Sequence, residues 1–149
     1  MAPSASAYDL ERFVTAQDQG GTYAQAVAEL RRGRKTSHWM WFVFPQIAGL
    51  GSSPTSRHFA ISSLAEARAY LSHPVLGPRL LESSQLVAET EGHSATDIFG
   101  GIDAQKLRSS MTLFTRADPA RPVFRRVLDR YFDGQSDPVT DQLLEGPRT

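Results

Sequence analysis

Apolar residues recur at helical spacing between glycine and proline breakers along almost the whole chain. Leu10, Phe13 and Val14, for example, lie on neighbouring turns of a first predicted helix that ends before Gly20. Alternation of apolar and polar residues with a period of two, which marks a half-buried strand, is nearly absent. The pattern therefore predicts a mainly α-helical fold, a single compact domain of six to seven helices with short loops.

Residues that favour helix N-termini divide the chain into segments. The candidate N-caps, each directly before a helical stretch, are Ser6, Thr22, Ser63, Ser94 and Asp103. Asp103 has the strongest signal, because Ile102 and Leu107 flank it as in a hydrophobic staple. A helix is therefore expected over 104–116. Residues 48–56 have the composition of a loop, and a short turn is expected at 139–144.

The apolar run from Trp39 to Phe44 is compatible with either a buried strand or a buried helical turn. The proline at position 45 disfavours a helical conformation at Phe44. A buried helix that ends at this residue is the favoured interpretation, and a strand over 39–44 is the alternative.

Composition narrows the classes of function. The chain has 149 residues, of which 16 are basic, 16 are acidic and none is cysteine. A disulfide framework, a thiol nucleophile and a zinc knuckle are excluded, and the zero net charge argues against non-specific coating of nucleic acid. We predict a flexible leader over 1–6, a helical domain over 7–145 and a polar tail over 146–149. No signal-like or membrane-spanning segment is found, so a cytoplasmic protein without a membrane partner is expected.

Three segments combine residue types suited to binding a nucleotide. The first offers aromatic rings for a base, the second a glycine- and hydroxyl-rich loop for a phosphate, and the third a polar helix face. Core packing, a plain surface loop and a solvated helix face are the respective alternatives. The candidate residues are Lys35, His38, Trp39, Trp41 and Gln46; Gly49, Gly51, Ser52 and Arg57; and Asp103, Lys106, Ser109 and Ser110.

The lysines point to two of these segments. Lys35 and Lys106 are the only lysines in the chain, against 14 arginines. The compact lysine ammonium and the planar arginine fork are not interchangeable. The distribution therefore predicts a confined anion site that involves Lys35 and Lys106.

Glu11, in the first helix, is a candidate acid–base group. It lies beside the apolar stripe, where partial desolvation would raise the pKa of its carboxyl. An exposed glutamate that interacts with the helix dipole is the alternative. Gln17 is a further candidate for binding substrate. The histidines have no metal-binding spacing, so neither a metal nor a cofactor is expected.

Several motifs together resemble the bacterial family called domain of unknown function 1810. They are the block from Gly33 to Gln46 with Ser-His-Trp-Met-Trp at its centre, Gly49-Leu-Gly51, His73-Pro-Val-Leu-Gly77, and the stretch 98–114. The resemblance covers nearly the whole chain and implies a mainly helical fold with no assigned function. Some members carry a calpastatin-like label, which implies a protease inhibitor, although this chain lacks the disordered repeats that such an inhibitor needs.

A more remote resemblance connects the chain to NADAR domains, which are linked to NAD and ADP-ribose metabolism and include N-glycosidases. The segment Glu11–Gln17 is similar to the glutamate-bearing helix of that family, and the stretch 97–111 is similar to two later motifs. Arg12, Phe99 and Asp103 stand where the family has histidine, tryptophan and asparagine.

The NADAR resemblance implies hydrolysis of a ribosyl or ADP-ribosyl N-glycosidic bond through an oxocarbenium-like state. It implies that Glu11 stabilises this charge or activates water, and that Asp97 assists the leaving base or binds the ribose. A tryptophan at 39 or 41 would stack on the base, and Lys35, Arg57 and Lys106 would hold phosphates. The alternative is a non-enzymatic nucleotide-binding or protein-interaction domain. The sequence identifies no protein partner.

Overall fold

Helices follow one another along the chain in the computed structural model, which describes residues 8–145. They are α1 Glu11–Asp18, α2 Thr22–Arg31, α3 Met40–Val43, α4 Pro54–His58, α5 Leu64–Ser72, α6 Leu76–Glu89, α7 Ala95–Phe99, α8 Gly101–Ala117, α9 Pro122–Phe132 and α10 Pro138–Glu145. A 3-10 turn, Gln19–Gly21, joins α1 to α2. Within 8–145, extended pairing is limited to one parallel bridge between Ile47 and Ile61. The prediction of a mainly α-helical fold is confirmed.

The number of long helices agrees with the prediction. Seven helices of eight or more residues lie within the described residues, and α3, α4 and α7 are shorter additions. The run 39–44 contains the short buried helix α3, so the helical interpretation is confirmed and the strand is excluded. The predicted leader over 1–6, with its cap Ser6, and the predicted tail over 146–149 lie outside the described residues.

Two segments expected to be irregular are partly helical. Helix α4 begins at Pro54, inside the predicted loop 48–56, because the Ser53 hydroxyl accepts a hydrogen bond from the backbone N–H of Ser56 and Pro54 suits the first turn. Helix α10 replaces the short turn expected over 139–144. The Asp137 carboxylate accepts a hydrogen bond from the backbone N–H of Thr140 at the start of this helix.

The predicted N-caps Ser63 and Ser94 are confirmed. Their hydroxyls accept hydrogen bonds from the backbone N–H groups of Glu66 and Asp97, respectively. The Asp97 carboxylate in turn accepts from the backbone N–H of Ser94, which completes a capping box at α7.

The predicted caps at Thr22 and Asp103 are wrong. Both helices begin earlier, because Gly21 (φ +70°) and Gly100 (φ +80°) adopt positive φ values that turn the chain directly into the helix. Asp103 therefore lies inside the first turn of α8, where its carboxylate makes ion pairs with lysines instead of capping. Ile102 is 78% exposed, so the expected hydrophobic staple is absent.

Helix α8 lies at the centre of the core. It packs against α5, α7, α9 and α10. Leu107, Met111 and Phe114 on this helix are fully buried, as their spacing predicts. Phe114 contacts Tyr70 of α5 with ring centroids 5.5 Å apart, and Tyr70 meets Phe13 of α1 edge to face. No helix in the described part of the chain is long and apolar enough to cross a membrane.

A buried carboxylate, Glu29 of α2, fixes the segment that leads into α3. Its oxygens accept hydrogen bonds from the backbone N–H groups of Thr36 (2.6 Å) and Ser37 (2.9 Å), from the Ser37 hydroxyl, from the Trp39 indole (3.0 Å) and from the Gln25 amide (3.0 Å). Burial opposes ionisation, but the Ser37 hydroxyl and the two backbone N–H groups outweigh it and hold the pKa of Glu29 well below its ordinary value. The carboxylate therefore stays charged in the interior.

Arg12 ties α1 to the segment before α5. Its guanidinium donates hydrogen bonds to the carbonyl oxygens of His58 (2.7 Å) and Ala60 (2.9 Å), and it pairs with the Glu66 carboxylate at 3.0 Å. The sequence gives this arginine no distinctive signal. In this structure Arg12 supports the fold.

Replacing Glu29 with glutamine should lower the free energy of unfolding at neutral pH by about 3 kcal/mol, because an amide NH₂ would face backbone and indole donors. The loss should begin to shrink once the pH falls below about 5 and should continue to shrink toward about pH 2, because the unfolded chain takes up a proton at this carboxylate before the folded protein does. Chemical denaturation across this pH range measures both effects. Glu91→Gln, the same change at an exposed position, should leave the unfolding free energy nearly unchanged. A Glu29→Gln protein as stable as the wild type would contradict the assignment.

Candidate functional site

A surface groove, here called the Trp41 groove, brings the three candidate segments together. It has two adjoining lobes with cavity volumes of about 190 and 480 Å³, the larger within the usual range for small-molecule sites. The residues that line the first lobe include Trp41, Gln46, Gly49, Gly51, Arg57 and Phe59. Those that line the second lobe include Trp41, Gln46, Gly51, Ser52, Lys106, Ser109 and Asp137.

Aromatic rings form the walls of the first lobe. Trp41 projects from α3 and is partly exposed, whereas Phe59 follows α4. Phe59 is held by ring contacts with Phe42 (centroids 5.3 Å apart) and Phe13 (5.8 Å). The sequence analysis missed Phe59, since no motif marks it and only the packing of α1, α3 and α4 places it at the groove.

Five polar side chains of the groove have no hydrogen-bond partner within residues 8–145. They are the Trp41 indole N–H, the Gln46 amide, the Ser52 hydroxyl, the Arg57 guanidinium and the Gln105 amide. Trp41 and Gln46 are half-buried, whereas Ser52 and Arg57 are exposed. The groove therefore presents donors and an acceptor that the described fold does not use.

One ion-pair cluster joins Lys35, Asp103 and Lys106, and Lys106 is the member that lines the second lobe. The Asp103 carboxylate lies 2.8 Å from the Lys35 ammonium and 3.3 Å from the Lys106 ammonium. Lys35 also donates to the Ser37 carbonyl at 2.6 Å, and its side chain is only 8% exposed. The anion between the two lysines is thus the chain's own carboxylate. Lys106 reaches the groove, where its ammonium lies 3.9 Å from the Trp41 ring centroid, and Lys35 does not line it.

Asp137 closes the far side of the second lobe. Its Oδ2 accepts hydrogen bonds from the hydroxyls of Ser109 (3.1 Å) and Thr140 (2.6 Å), whereas its Oδ1 has no hydrogen bond within the described residues. The sequence analysis missed Asp137, because it lies 28 residues after Ser109 and only the packing of α10 on α8 joins them. Ser110, the neighbouring candidate, is fully buried and does not line the groove.

The two candidate catalytic carboxylates lie outside the Trp41 groove. The Glu11 side chain is 74% exposed and faces His73, with Oε1 3.4 Å from the imidazole Nε2. Asp97 caps α7, and the backbone N–H and hydroxyl of Ser94 lower the pKa of its carboxyl. A lowered pKa disfavours the role of proton donor. No cluster of three or more acidic or histidine side chains in the described part of the chain could hold a metal ion.

Three other candidates are also placed away from the groove lining. Trp39 is fully buried in the core, as the packing interpretation predicts. The buried Gln17 amide donates to the Phe42 carbonyl at 2.7 Å and to the Tyr70 hydroxyl at 3.2 Å, which links α1, α3 and α5. His38 is exposed. Of the 16 candidate site residues, the groove gathers Trp41, Gln46, Gly49, Gly51, Ser52, Arg57, Lys106 and Ser109.

Comparison with known proteins identifies two similarities. The family described as protein of unknown function (DUF1810) matches residues 7–144. The crystal structure of the conserved hypothetical protein Rv1873 from Mycobacterium tuberculosis is 52% identical in sequence, with a TM-score of 0.91, and the alignment covers 94% of this chain and 99% of that one. No curated protein matches the chain.

Replacing Asp103 with asparagine should destabilise the protein by about 2 kcal/mol, because the nearly buried Lys35 ammonium loses its ionic partner. Asp129→Asn is the matched control: its carboxylate is 58% exposed and pairs with Arg125 in solvent, so the loss should be about 0.5 kcal/mol or less. Denaturant unfolding of the two variants measures the difference. Equal losses would show that the cluster contributes no more than a surface ion pair.

Proposed function

The chain belongs to the DUF1810 family, whose description gives no function, and we propose from the Trp41 groove that it binds a nucleotide or ADP-ribose-type small molecule. The observation that carries the proposal is the set of unpaired polar side chains at Trp41, Gln46, Ser52 and Arg57. Polar groups that the fold leaves unpaired in a concave site are available to orient a ligand.

The first lobe suits a base. Trp41 and Phe59 provide aromatic surfaces, and stacking on such surfaces accepts any planar ring. Lys106 covers part of the Trp41 ring from the second lobe but does not line the first. A base can therefore contact Trp41 from the first lobe without displacing the ammonium.

The second lobe suits a phosphate. Lys106 contributes a cation, and Ser52 contributes a free hydroxyl. Arg57, which lines the first lobe close to the shared glycine Gly51, adds an unpaired guanidinium that can bind phosphate oxygens in pairs. Asp103 keeps Lys106 in place through its ion pair. In this proposal Lys106 and Arg57 bind phosphate, as the sequence resemblance implies. Lys35 contributes only indirectly, through its ion pair with Asp103.

Trp41→Ala should weaken the binding of ADP-ribose and of adenosine alike by about tenfold, because both lose the stacking surface. Lys106→Ala should weaken ADP-ribose by about tenfold and leave adenosine nearly unchanged, since only the phosphates contact the ammonium. Isothermal titration calorimetry measures all four affinities.

Trp41→Phe, which keeps a ring, and Arg125→Ala, which removes an exposed cation from α9, serve as controls and should retain most of the affinity. Failure of the wild type to bind ADP-ribose even at millimolar concentration would refute the proposal. Undiminished binding by both Trp41→Ala and Lys106→Ala would place the ligand elsewhere.

We further propose that the bound ligand is a substrate for N-glycosidic hydrolysis. In this step the bond from the sugar C1′ to the base nitrogen breaks with its electron pair going to the nitrogen, and a water oxygen bonds to C1′. The proton released by the water goes to a nucleobase bound through a neutral nitrogen, or to solvent when the leaving group is the nicotinamide of NAD. Among the described residues lining the Trp41 groove, Asp137 alone carries a carboxylate, and its Oδ1 is unpaired. This free oxygen favours a carboxylate-assisted reaction within the groove, with Asp137 beside the sugar. The resemblance to NADAR domains assigns the same role to Glu11.

Product analysis with NAD and with an ADP-ribosylated nucleobase separates these assignments. Asp137→Asn should abolish turnover and retain binding, because asparagine can still cap α10 but cannot stabilise an oxocarbenium ion by charge. Glu11→Gln should leave turnover nearly unchanged. The opposite pattern would support the resemblance-based assignment. Binding without turnover in the wild type would refute the enzymatic step and leave a nucleotide-binding protein.

A further inference from the structure

We infer that Gln46 selects the base of the ligand, and that it favours an adenine edge, on which an amino group lies beside a ring nitrogen acceptor. This inference rests on the proposed binding of a nucleotide in the Trp41 groove. It adds a specificity-determining residue and a substrate class to that proposal.

The backbone holds Gln46 in a fixed position. Its carbonyl accepts a hydrogen bond from the N–H of Ile61 at 2.8 Å, and the N–H of Ala48 donates to the Ile61 carbonyl at 2.8 Å. These bonds form the parallel bridge on either side of the buried Ile47. A side chain carried by a paired backbone segment loses less conformational freedom on binding than one on an unpaired loop.

Gln46 shares the groove with the aromatic residues proposed to stack on the base. It lines both lobes together with Trp41, and Phe59 also lines the first lobe. No hydrogen bond within residues 8–145 involves its amide oxygen or its NH₂ group. Other glutamine amides near the core are committed: Gln17 bridges α1 to α3, and Gln25 donates to Glu29.

An amide presents one acceptor and one pair of donors side by side. Adenine offers the complementary pair, with its N6 amino group as donor and the adjacent N7 as acceptor. Glutamine can therefore form two hydrogen bonds with adenine at once. A purine without the amino group would leave the glutamine oxygen unpaired in a partly buried site, which costs affinity.

A binding cycle with two nucleotides and two proteins tests this contact. Adenosine 5′-monophosphate and purine riboside 5′-monophosphate differ only in the amino group. The wild type should bind the adenosine nucleotide about ten times more tightly. In Gln46→Leu this preference should fall to about twofold or less, because both purines then face an apolar side chain.

Two further variants keep the result interpretable. Gln46→Glu retains the size and the acceptor but loses the NH₂ donor, and provides a second measurement should the leucine variant fold poorly. Gln142→Leu removes an exposed, unpaired carboxamide of α10 that lines neither lobe, and should keep the preference for the amino group.

Equal affinities of the wild type for the two purines, or a preference that survives in Gln46→Leu, would overturn the role of Gln46 while leaving nucleotide binding intact. Tighter binding of guanosine 5′-monophosphate than of the adenosine nucleotide would overturn the adenine class. Absence of binding by every nucleotide would refute the proposed function itself and this inference with it.

Discussion

The buried carboxylate of Glu29 connects helix α2 to the segment that carries the Trp41 groove. By accepting from the backbone N–H groups of Thr36 and Ser37 and from the Trp39 indole, it fixes where α3 begins. Trp39 then faces the core, and Trp41, two residues later, faces outward. A buried charge is tolerated here because several donors compensate for its lost hydration.

Charged side chains in this protein serve mainly to hold elements together. Arg12 joins α1 to the segment before α5, Asp103 joins Lys35 to Lys106, and Arg116 forms two hydrogen bonds with the Asp141 carboxylate between α8 and α10. Arg57 and Gln46 of the groove take no part in such bonds within the described residues.

The proposed site in the Trp41 groove uses Asp137 as its carboxylate, whereas the expectation from the NADAR resemblance is Glu11. The difference arises because contacts between residues distant in sequence decide where each carboxylate lies. Glu11 begins α1, where it faces His73 and solvent, whereas Asp137 reaches the groove because α10 folds back onto α8. The residues proposed to contact phosphate and base are likewise divided among α3, α4 and α8, so a motif on one helix cannot define the whole site.

Local patterns in the sequence determined the helical class, the short helix within 39–44 and the caps at Ser63 and Ser94, because periodicity and capping act over a few residues. They also indicated the segments that meet at the groove. Only the tertiary structure decided which of the two tryptophans and which of the two lysines line the groove. They are Trp41 and not Trp39, and Lys106 and not Lys35. It also added Phe59 and Asp137. The direction of a side chain depends on packing against helices distant in sequence, and no local spacing encodes it.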